Sequence, residues 1–247
     1  MIEPEQTPEQ QPPSWRRGIA WGPREVVQGL ALGVTALIFI PISALIIAAL
    51  LGVDVSTAKH QQEVSIIASL PFELALFAIV LIFTIGKYHL SWRSLGFRPI
   101  PLKRAWLPFA VVIGAFVAVE VYGLIAGALF GDRALPQSTL GNDIFDEKVF
   151  VVLAGILAVI MAPLIEETFF RGFVFGGLAT RFSFLGAALM SGFLFSLAHG
   201  QPTTLIPFTI VGMMFAAAYA YTGSLWTTIS AHFLFNLISF SLTLATR

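Results

Sequence analysis

The chain has 247 residues, of which 57% are hydrophobic and 11% are charged, and its 14 lysine and arginine residues balance 14 aspartate and glutamate residues. Soluble globular domains carry about 25% charged residues, so this composition excludes an ordinary soluble domain. The zero net charge gives no electrostatic reason to expect nucleic acid as a partner. Because the chain has no cysteine, disulfides, thiolate zinc sites and cysteine nucleophiles are also excluded.

In chain order, a polar segment is followed by a series of apolar segments. Residues 1–24 are rich in proline, glutamine and glutamate. Such a composition cannot bury a core, so we expect a disordered N-terminal tail there and one transmembrane domain over residues 25–247. A helix needs about 20 apolar residues to cross a bilayer. The candidate spans are residues 26–51, 65–86, 106–130, 150–179, 184–199, 203–221 and 225–245. The predicted fold is therefore all-α, a polytopic transmembrane helical bundle of about seven spans.

The positions of lysine and arginine predict how this bundle is oriented. If the spans alternate in direction, ten of these basic residues fall on the side of the N-terminus and four on the opposite side. Cytoplasmic loops carry the excess of basic residues in membrane proteins. We therefore expect the N-terminus in the cytoplasm.

Ionisable residues inside the predicted spans are few, and each is a functional candidate because a charge in lipid costs several kcal/mol unless it is paired or solvated. The candidates are Glu73, Glu120, Glu166, Glu167, Arg171, His199 and His232, with Asn236 as an amide. Glu73 and Glu120 also fall near mid-depth, so depth alone does not select a functional set. The other candidates are distinguished because they occur together in a part of the chain that is otherwise poor in charge.

Spacing along the helices groups these candidates. Glu167 and Arg171 are four residues apart, so they can pair on one helix face, and Glu166 points about 100° away from Glu167. His232 and Asn236 have the same spacing and point the same way. The pairing of Glu167 with Arg171 leaves Glu166 free for other work.

Depth brings a second helix to the same place. Glu166 lies roughly 21 Å from the cytoplasmic end of its span, at 1.5 Å per residue. His199 lies at about the same level of the next, antiparallel span, and Phe195, one helical turn earlier, would place an aromatic ring beside its imidazole. We therefore expect Glu166 and His199 to face one cavity.

Two chemistries suit this set of residues. A carboxylate and an imidazole can hold and deprotonate water, while a second imidazole and an amide can donate hydrogen bonds to an oxyanion. Alternatively, Glu166, His199 and His232 form a three-ligand zinc set with an open position. Both describe hydrolysis of an acyl compound by activated water. Intramembrane histidine and asparagine also commonly serve as helix–helix hydrogen-bond partners, which is the structural alternative.

Three short motifs in these residues resemble a known family. The segment from Glu166 to Arg171 matches Glu-Glu-x-x-x-Arg, Phe195 to His199 matches Phe-x-x-x-His, and His232 to Asn236 matches His-x-x-x-Asn. In this order they resemble the CPBP family of intramembrane metalloproteases, which includes the type II CAAX prenyl endopeptidases and the bacteriocin-processing or immunity proteins.

The resemblance implies an integral multi-pass protease of a prokaryotic plasma membrane and assigns a role to each motif residue. Glu166 would activate water together with His199, and Glu167 with Arg171 would hold the helix and orient the site. His232 and Asn236 would form the oxyanion pocket. In the metal alternative, His232 would join Glu166 and His199 around a divalent metal such as zinc.

The expected partners are membrane lipid and an apolar or lipidated peptide or protein substrate, of which the prenylated CAAX type is one class. Two other functions stay open at this point. A non-catalytic immunity or scaffold protein would keep the same fold. A transporter or proton pathway would use Glu73, Glu120 and Glu166 as a relay.

Overall fold

In the computed structural model, which describes residues 14–16, 18–131, 133, 135 and 147–246, all regular secondary structure of the described residues is helical. The main helices are α1 (Pro23–Leu50), α2 (Ala58–Leu81, continued by a π-helical turn at Ile82–Gly86), α3 (Leu107–Phe130), α4 (Lys148–Leu178), α5 (Phe184–Ala198), α6 (Leu205–Thr222) and α7 (Leu225–Ala245). Short 3₁₀ turns lie at Ser14–Arg16, Trp92–Leu95, Leu102–Arg104 and Pro202–Thr204. The predicted all-α bundle is confirmed.

Within the described residues, six of these helices are long and apolar enough to cross a membrane, and α5 is a shorter apolar helix. The expectation of about seven spans agrees with this count. The 15 residues of α5 reach about 22 Å, less than the roughly 30 Å of hydrocarbon. If α5 begins at the membrane surface, the turn that follows it lies inside the bilayer, where non-helical backbone requires protein or water around it.

The start of α2 differs from the prediction, which placed it at residue 65. The helix begins seven residues earlier because polar residues extend it beyond the apolar segment, and the hydroxyl of Thr57 caps it by accepting a hydrogen bond from the His60 amide. A hydropathy pattern detects only the lipid-facing part of a helix, whereas a capped polar turn continues it into water.

The segment before α1 corrects part of the predicted tail. Trp15 and Trp21 are buried in the protein core; Trp15 stacks on Phe175, and the indole of Trp21 donates a hydrogen bond to the Phe173 carbonyl at 2.9 Å. The described residues between 14 and 24 are therefore packed against α4, because two indole side chains bury a large apolar area. Residues 1–13 and 17 of the predicted tail lie outside the described residues.

Helix α4 lies at the centre of the bundle and contains two π-helical segments, at Leu157–Met161 and Thr168–Phe175. These segments flank the short α-helical stretch Ala162–Glu167. Every residue of the second segment is buried. Because a π-helical turn changes the backbone hydrogen-bond pattern, it is frequent at functional sites.

Helices α5 and α6 approach each other at two glycines. A Cβ atom at Gly212 would lie 2.6 Å from the Cα of Gly192, and a Cβ at Gly192 would lie 2.6 Å from the Thr209 carbonyl oxygen. Only residues without a side chain allow this approach, which is a common form of packing between membrane helices. The contact brings the α6 backbone close to Arg171 on α4.

Candidate active site

A fully buried ion pair on α4 forms the base of the site. Arg171 donates a hydrogen bond from Nη1 to Oε1 of Glu167 at 2.6 Å, and both side chains are 0% exposed. The second guanidinium nitrogen, Nη2, donates to the Gly212 carbonyl at 3.3 Å. The predicted pairing of Glu167 with Arg171 is confirmed, and the glycine contact on α6 supplies a partner that spacing along one helix could not predict.

Glu167 also contacts the third motif. The Nδ1–H of His232 on α7 donates to the same Oε1 atom of Glu167 at 3.0 Å. A carboxylate on Nδ1 fixes the tautomer and the ring orientation, and it stabilises the imidazolium when Nε2 is protonated. His232 therefore presents its Nε2 edge away from Glu167.

Phe195 of the second motif packs between the other two motifs. The Arg171 guanidinium lies 4.4 Å from the Phe195 ring centroid, and the rings of His199 and His232 lie 4.8 and 5.8 Å from it. A cation over an aromatic face is stabilised by the ring quadrupole, most strongly away from water. Phe195 therefore holds the buried cation and both imidazoles in one cluster, and its ring lies beside the His199 imidazole as predicted.

His199 follows the last residue of α5 and is half-buried. Its Nδ1–H donates to the Phe195 carbonyl at 2.9 Å, and its ring packs edge-on against Phe208 with a centroid separation of 4.8 Å. A carbonyl oxygen can only accept, so this bond leaves the neutral imidazole with an acceptor lone pair on Nε2. His199 thus presents the basic nitrogen that water activation requires.

Glu166 stands apart from the hydrogen-bonded cluster. It is half-buried, and its Oε2 atom is buried without a hydrogen-bond partner. Among the hydrogen bonds of the described residues, none joins Glu166 to His199. A buried oxygen without a partner is rare in proteins and calls for an explanation; here it leaves Glu166 as an unengaged carboxylate beside the cluster.

Asn236 has a partner that the sequence did not indicate. Its side-chain amide donates to the Ala158 carbonyl at 2.7 Å, within the first π-helical segment of α4. The second segment is bound in the same way: the hydroxyl of Ser191 donates to the Phe170 carbonyl at 2.8 Å, as the Trp21 indole does to Phe173. Side chains from other elements thus donate hydrogen bonds to backbone carbonyls in both π-helical segments of α4. Asn236 keeps a second amide hydrogen that is free to donate.

Sequence reasoning gave too little weight to Glu73. This residue of α2 is 6% exposed, and α2 packs against the Ala162–Glu167 stretch of α4, which carries Glu166. In the sequence, only its mid-depth position indicates Glu73 as a candidate, and the exposed Glu120 on α3 has the same position. Only the packing of α2 against α4 separates the two glutamates.

The predicted metal ligands do not form a metal-binding group in this structure. Across residues 14–16, 18–131, 133, 135 and 147–246, no three His, Asp or Glu side chains are grouped closely enough to hold a metal ion. Each of the three predicted ligands, Glu166, His199 and His232, keeps one atom that could bind a metal. These three atoms are not grouped around one point. A divalent metal therefore stays a prediction, and no catalytic step below passes through it.

The comparisons with known proteins agree with this site. A family model described as type II CAAX prenyl endopeptidase Rce1-like matches residues 148–238, the part of the chain that carries all three motifs. The family resemblance drawn from the motifs is thereby confirmed over this segment. The fold and the comparisons together define a multi-pass helical membrane protein with an Rce1-like segment.

Curated relatives come from bacteria. The chain is 33% identical over 129 residues to the "Putative membrane peptidase YdiL" of Bacillus subtilis, covering 51% of this chain and 52% of that protein. It is 26% identical over 161 residues to the "Membrane-embedded CAAX protease MroQ" of Staphylococcus aureus, covering 61% and 56%. The chain spans about half the length of these curated relatives. No solved structure matches.

Proposed function

We propose that this protein is an intramembrane endopeptidase that hydrolyses peptide bonds of membrane-associated substrates with water activated by Glu166 and His199. One observation carries the proposal. Glu167 binds Arg171 of its own motif and His232 of the third motif, and Phe195 of the second motif packs against Arg171 and both imidazoles. Three motifs from separate helices thus build one cluster beside an unengaged carboxylate, which is an arrangement suited to acid–base chemistry.

In the proposed reaction, the Glu166 carboxylate takes a proton from water as the water oxygen bonds to the scissile carbonyl carbon. The Nε2 lone pair of His199 accepts a hydrogen bond from the other hydrogen of that water and so orients the attack. Glu166 then passes its proton to the leaving nitrogen as the carbon–nitrogen bond breaks. An amine and a carboxylic acid leave, and Glu166 is again ionised.

The negative charge that develops on the carbonyl oxygen needs a donor in a site shielded from water. Glu167 holds the Nδ1–H of His232, so a proton on Nε2 would give this side chain a donor for the oxyanion. The free amide hydrogen of Asn236 is a second candidate donor. Glu167 and Arg171 act through His232 and the shape of α4 and do not touch the substrate.

The substrate class we propose is an apolar or lipidated peptide at the membrane. The names of two relatives, a putative membrane peptidase and a membrane-embedded CAAX protease, support peptide-bond hydrolysis and a prenylated CAAX-type substrate. The short α5 also supports a water-containing cavity near His199, because backbone at that depth requires protein or water around it.

The test is proteolysis by purified protein in detergent and in liposomes, with prenylated and unmodified labelled peptides. Glu166→Gln and His199→Ala should each remove cleavage, and Glu120→Gln should retain it, because Glu120 is a mid-helix glutamate on α3 outside the site. Wild-type protein that cleaves none of the peptides, or Glu166→Gln protein that cleaves as wild type does, would overturn the proposal and favour a non-catalytic scaffold.

A further inference from the structure

A groove between α3 and α6 lies outside the candidate active site, because no motif residue lines it. Its volume is about 390 Å³, within the range of about 300–1,000 Å³ that ligand sites occupy. Trp106 and Tyr221 line its outer end. Towards the middle of the helices α3 and α6 touch, since a Cβ atom at Gly114 would lie 2.5 Å from Cε of Met214. The groove is therefore open at one end of the bundle and closed at the other.

The lining of this groove is apolar and faces outwards. The small side chains of Ala110 and Ala217 leave space between the two helices, and Trp106 and Tyr221 are 59% and 57% exposed. Tryptophan and tyrosine are enriched at the level of the lipid headgroups in membrane proteins. The groove thus begins at headgroup level and continues into the hydrocarbon region, which is the course of a phospholipid acyl chain.

Arg104 is held at the outer end of the groove. Its guanidinium carbon lies 4.1 Å from the centroid of the Tyr221 ring, and its Nη1 donates a hydrogen bond to the Tyr221 carbonyl. In the described part of the chain, none of the ion pairs involves Arg104. Its Nη2 and Nε hydrogens remain to bind an anion, and arginine binds phosphate through two parallel hydrogen bonds. The neighbouring Lys103 is exposed.

The elements around the groove carry only positive charge. Residues 74–119 contain five basic residues and no acidic residue, and no acidic residue follows Glu167 in the sequence. Of these five, Lys87 pairs with Glu25. The loop before α3 is held against the start of α7, where the Leu225 amide donates to the Gly96 carbonyl at 2.8 Å. The remaining basic residues therefore lie at the open end of the groove: Arg93, Arg98, Lys103 and Arg104.

This charge distribution selects the occupant. Basic pockets between membrane helices attract the headgroups of anionic lipids. A second copy of the chain is disfavoured, because a two-fold interface brings the same patch of both copies together and would oppose two basic rims.

We propose that the groove between α3 and α6 binds an anionic phospholipid of the surrounding membrane. Its phosphate contacts Arg104 and Lys103, and one acyl chain lies between Trp106 and Tyr221. The inference does not depend on the proposed catalytic activity.

The first test measures lipid binding by thermal unfolding. Delipidated full-length protein in a non-ionic detergent is titrated with phosphatidylglycerol, with phosphatidylcholine of the same acyl chains, and with inorganic phosphate. A ligand that binds only the folded protein raises its Tm. We expect a saturable rise with phosphatidylglycerol alone. An equal rise with phosphatidylcholine would overturn the role of the headgroup charge, and an equal rise with inorganic phosphate would overturn the assignment to a lipid.

The second test removes the headgroup contact. Arg104→Gln should weaken phosphatidylglycerol binding by about 10-fold, as expected for the loss of a hydrogen bond between charged groups. Arg181→Gln is the matched control, because Arg181 is an exposed basic residue in the turn between α4 and α5. Equal losses of affinity in the two variants would show attraction to the whole basic surface and would overturn a site at the groove.

The third test fills the groove. Ala217 is exposed on α6, so Ala217→Phe should leave the Tm of the lipid-free protein close to that of wild type and remove the rise with phosphatidylglycerol. Ala128→Phe, at an exposed position near the other end of α3, is the control and should keep the rise. Lipid binding that survives in Ala217→Phe would overturn the inference. A wild-type dimer that Ala217→Phe converts to a monomer would also overturn it, since the groove would then be an interface between two copies.

Discussion

His232 on α7 and Arg171 on α4 donate hydrogen bonds to the same oxygen of Glu167, at 3.0 and 2.6 Å. One carboxylate therefore balances a buried guanidinium and sets the tautomer of an imidazole on another helix. The shared oxygen makes the two halves of the site interdependent, so a change at Glu167 should affect both the stability of α4 and the orientation of His232.

Replacing Glu167 by glutamine should destabilise the protein and impair cleavage. The substitution leaves Arg171 charged and unpaired in a fully buried position, and removing one partner of a buried ion pair typically costs about 3–5 kcal/mol. Thermal unfolding in detergent, followed by the cleavage assay at a temperature where the variant is folded, measures both effects. Glu147→Gln is the matched control because its ion pair with Lys59 is exposed. Equal unfolding temperatures for the two variants would contradict the structure.

Adding one methyl group at Gly212 should separate α5 from α6. The new Cβ would lie 2.6 Å from the Cα of Gly192 and 3.3 Å from Nη2 of Arg171, and overpacking of this kind costs about 1–3 kcal/mol. We expect Gly212→Ala to lower both the unfolding temperature and kcat.

The matched control for this change is Gly33→Ala on α1. Its Cβ would meet Leu76 at 3.5 Å and Phe169 at 3.8 Å, which are ordinary contacts, and alanine favours the helix over glycine. Gly33→Ala should therefore be neutral or stabilising. A Gly212→Ala protein as stable as Gly33→Ala would refute the close approach of α5 and α6.

Trp21 should contribute to stability although it precedes the first span. Trp21→Ala removes a side chain that is 1% exposed, and truncation of a buried tryptophan costs about 3–5 kcal/mol. Trp21→Phe keeps most of the apolar area but loses the hydrogen bond to the Phe173 carbonyl, so it should cost about 1 kcal/mol. Trp106→Ala, at an exposed tryptophan, serves as the comparison in thermal unfolding. Similar behaviour of Trp21→Ala and Trp106→Ala would argue for a detached tail.

Treatment with a strong chelator tests the predicted divalent metal. The proposed reaction requires cleavage to persist, because it needs only the Glu166 carboxylate and the Nε2 lone pair of His199 to hold the water. The assay compares chelated protein with the same sample after zinc is added back. If cleavage is lost and added zinc restores it, the metal interpretation is correct. The metal-binding atoms of Glu166, His199 and His232 would then have to move together.

Local spacing was sufficient to predict some of the site. The Glu167–Arg171 pair follows from helix geometry, since residues four apart share a face. Depth along antiparallel spans predicted that Glu166 and His199 face one cavity, and this stays a prediction, because no hydrogen bond joins the two side chains among the described residues. The partners of Asn236 and His232 could not be predicted in this way, because they lie on another helix, and the π-helical segments of α4 change which face each residue presents.

Trp15 and Trp21 illustrate a limit of composition. Because residues 1–24 are rich in polar residues, their average composition indicates disorder. Two large apolar side chains nevertheless anchor the described residues around Trp15 and Trp21. Glu73 and Glu120 illustrate a limit of depth. Both are mid-helix glutamates, yet Glu73 is buried and Glu120 is exposed.

The sequence by itself determined the class of protein, the positions of its apolar helices and the residue types available for chemistry, because hydrophobicity and helix periodicity act over short stretches of chain. Only the tertiary structure decided which charges are paired and which carboxylates stay unengaged. Those properties depend on contacts between helices that are distant in sequence. They are the carboxylate oxygen shared by Arg171 and His232, the glycine approach that brings Gly212 to Arg171, and the packing of α2 that buries Glu73.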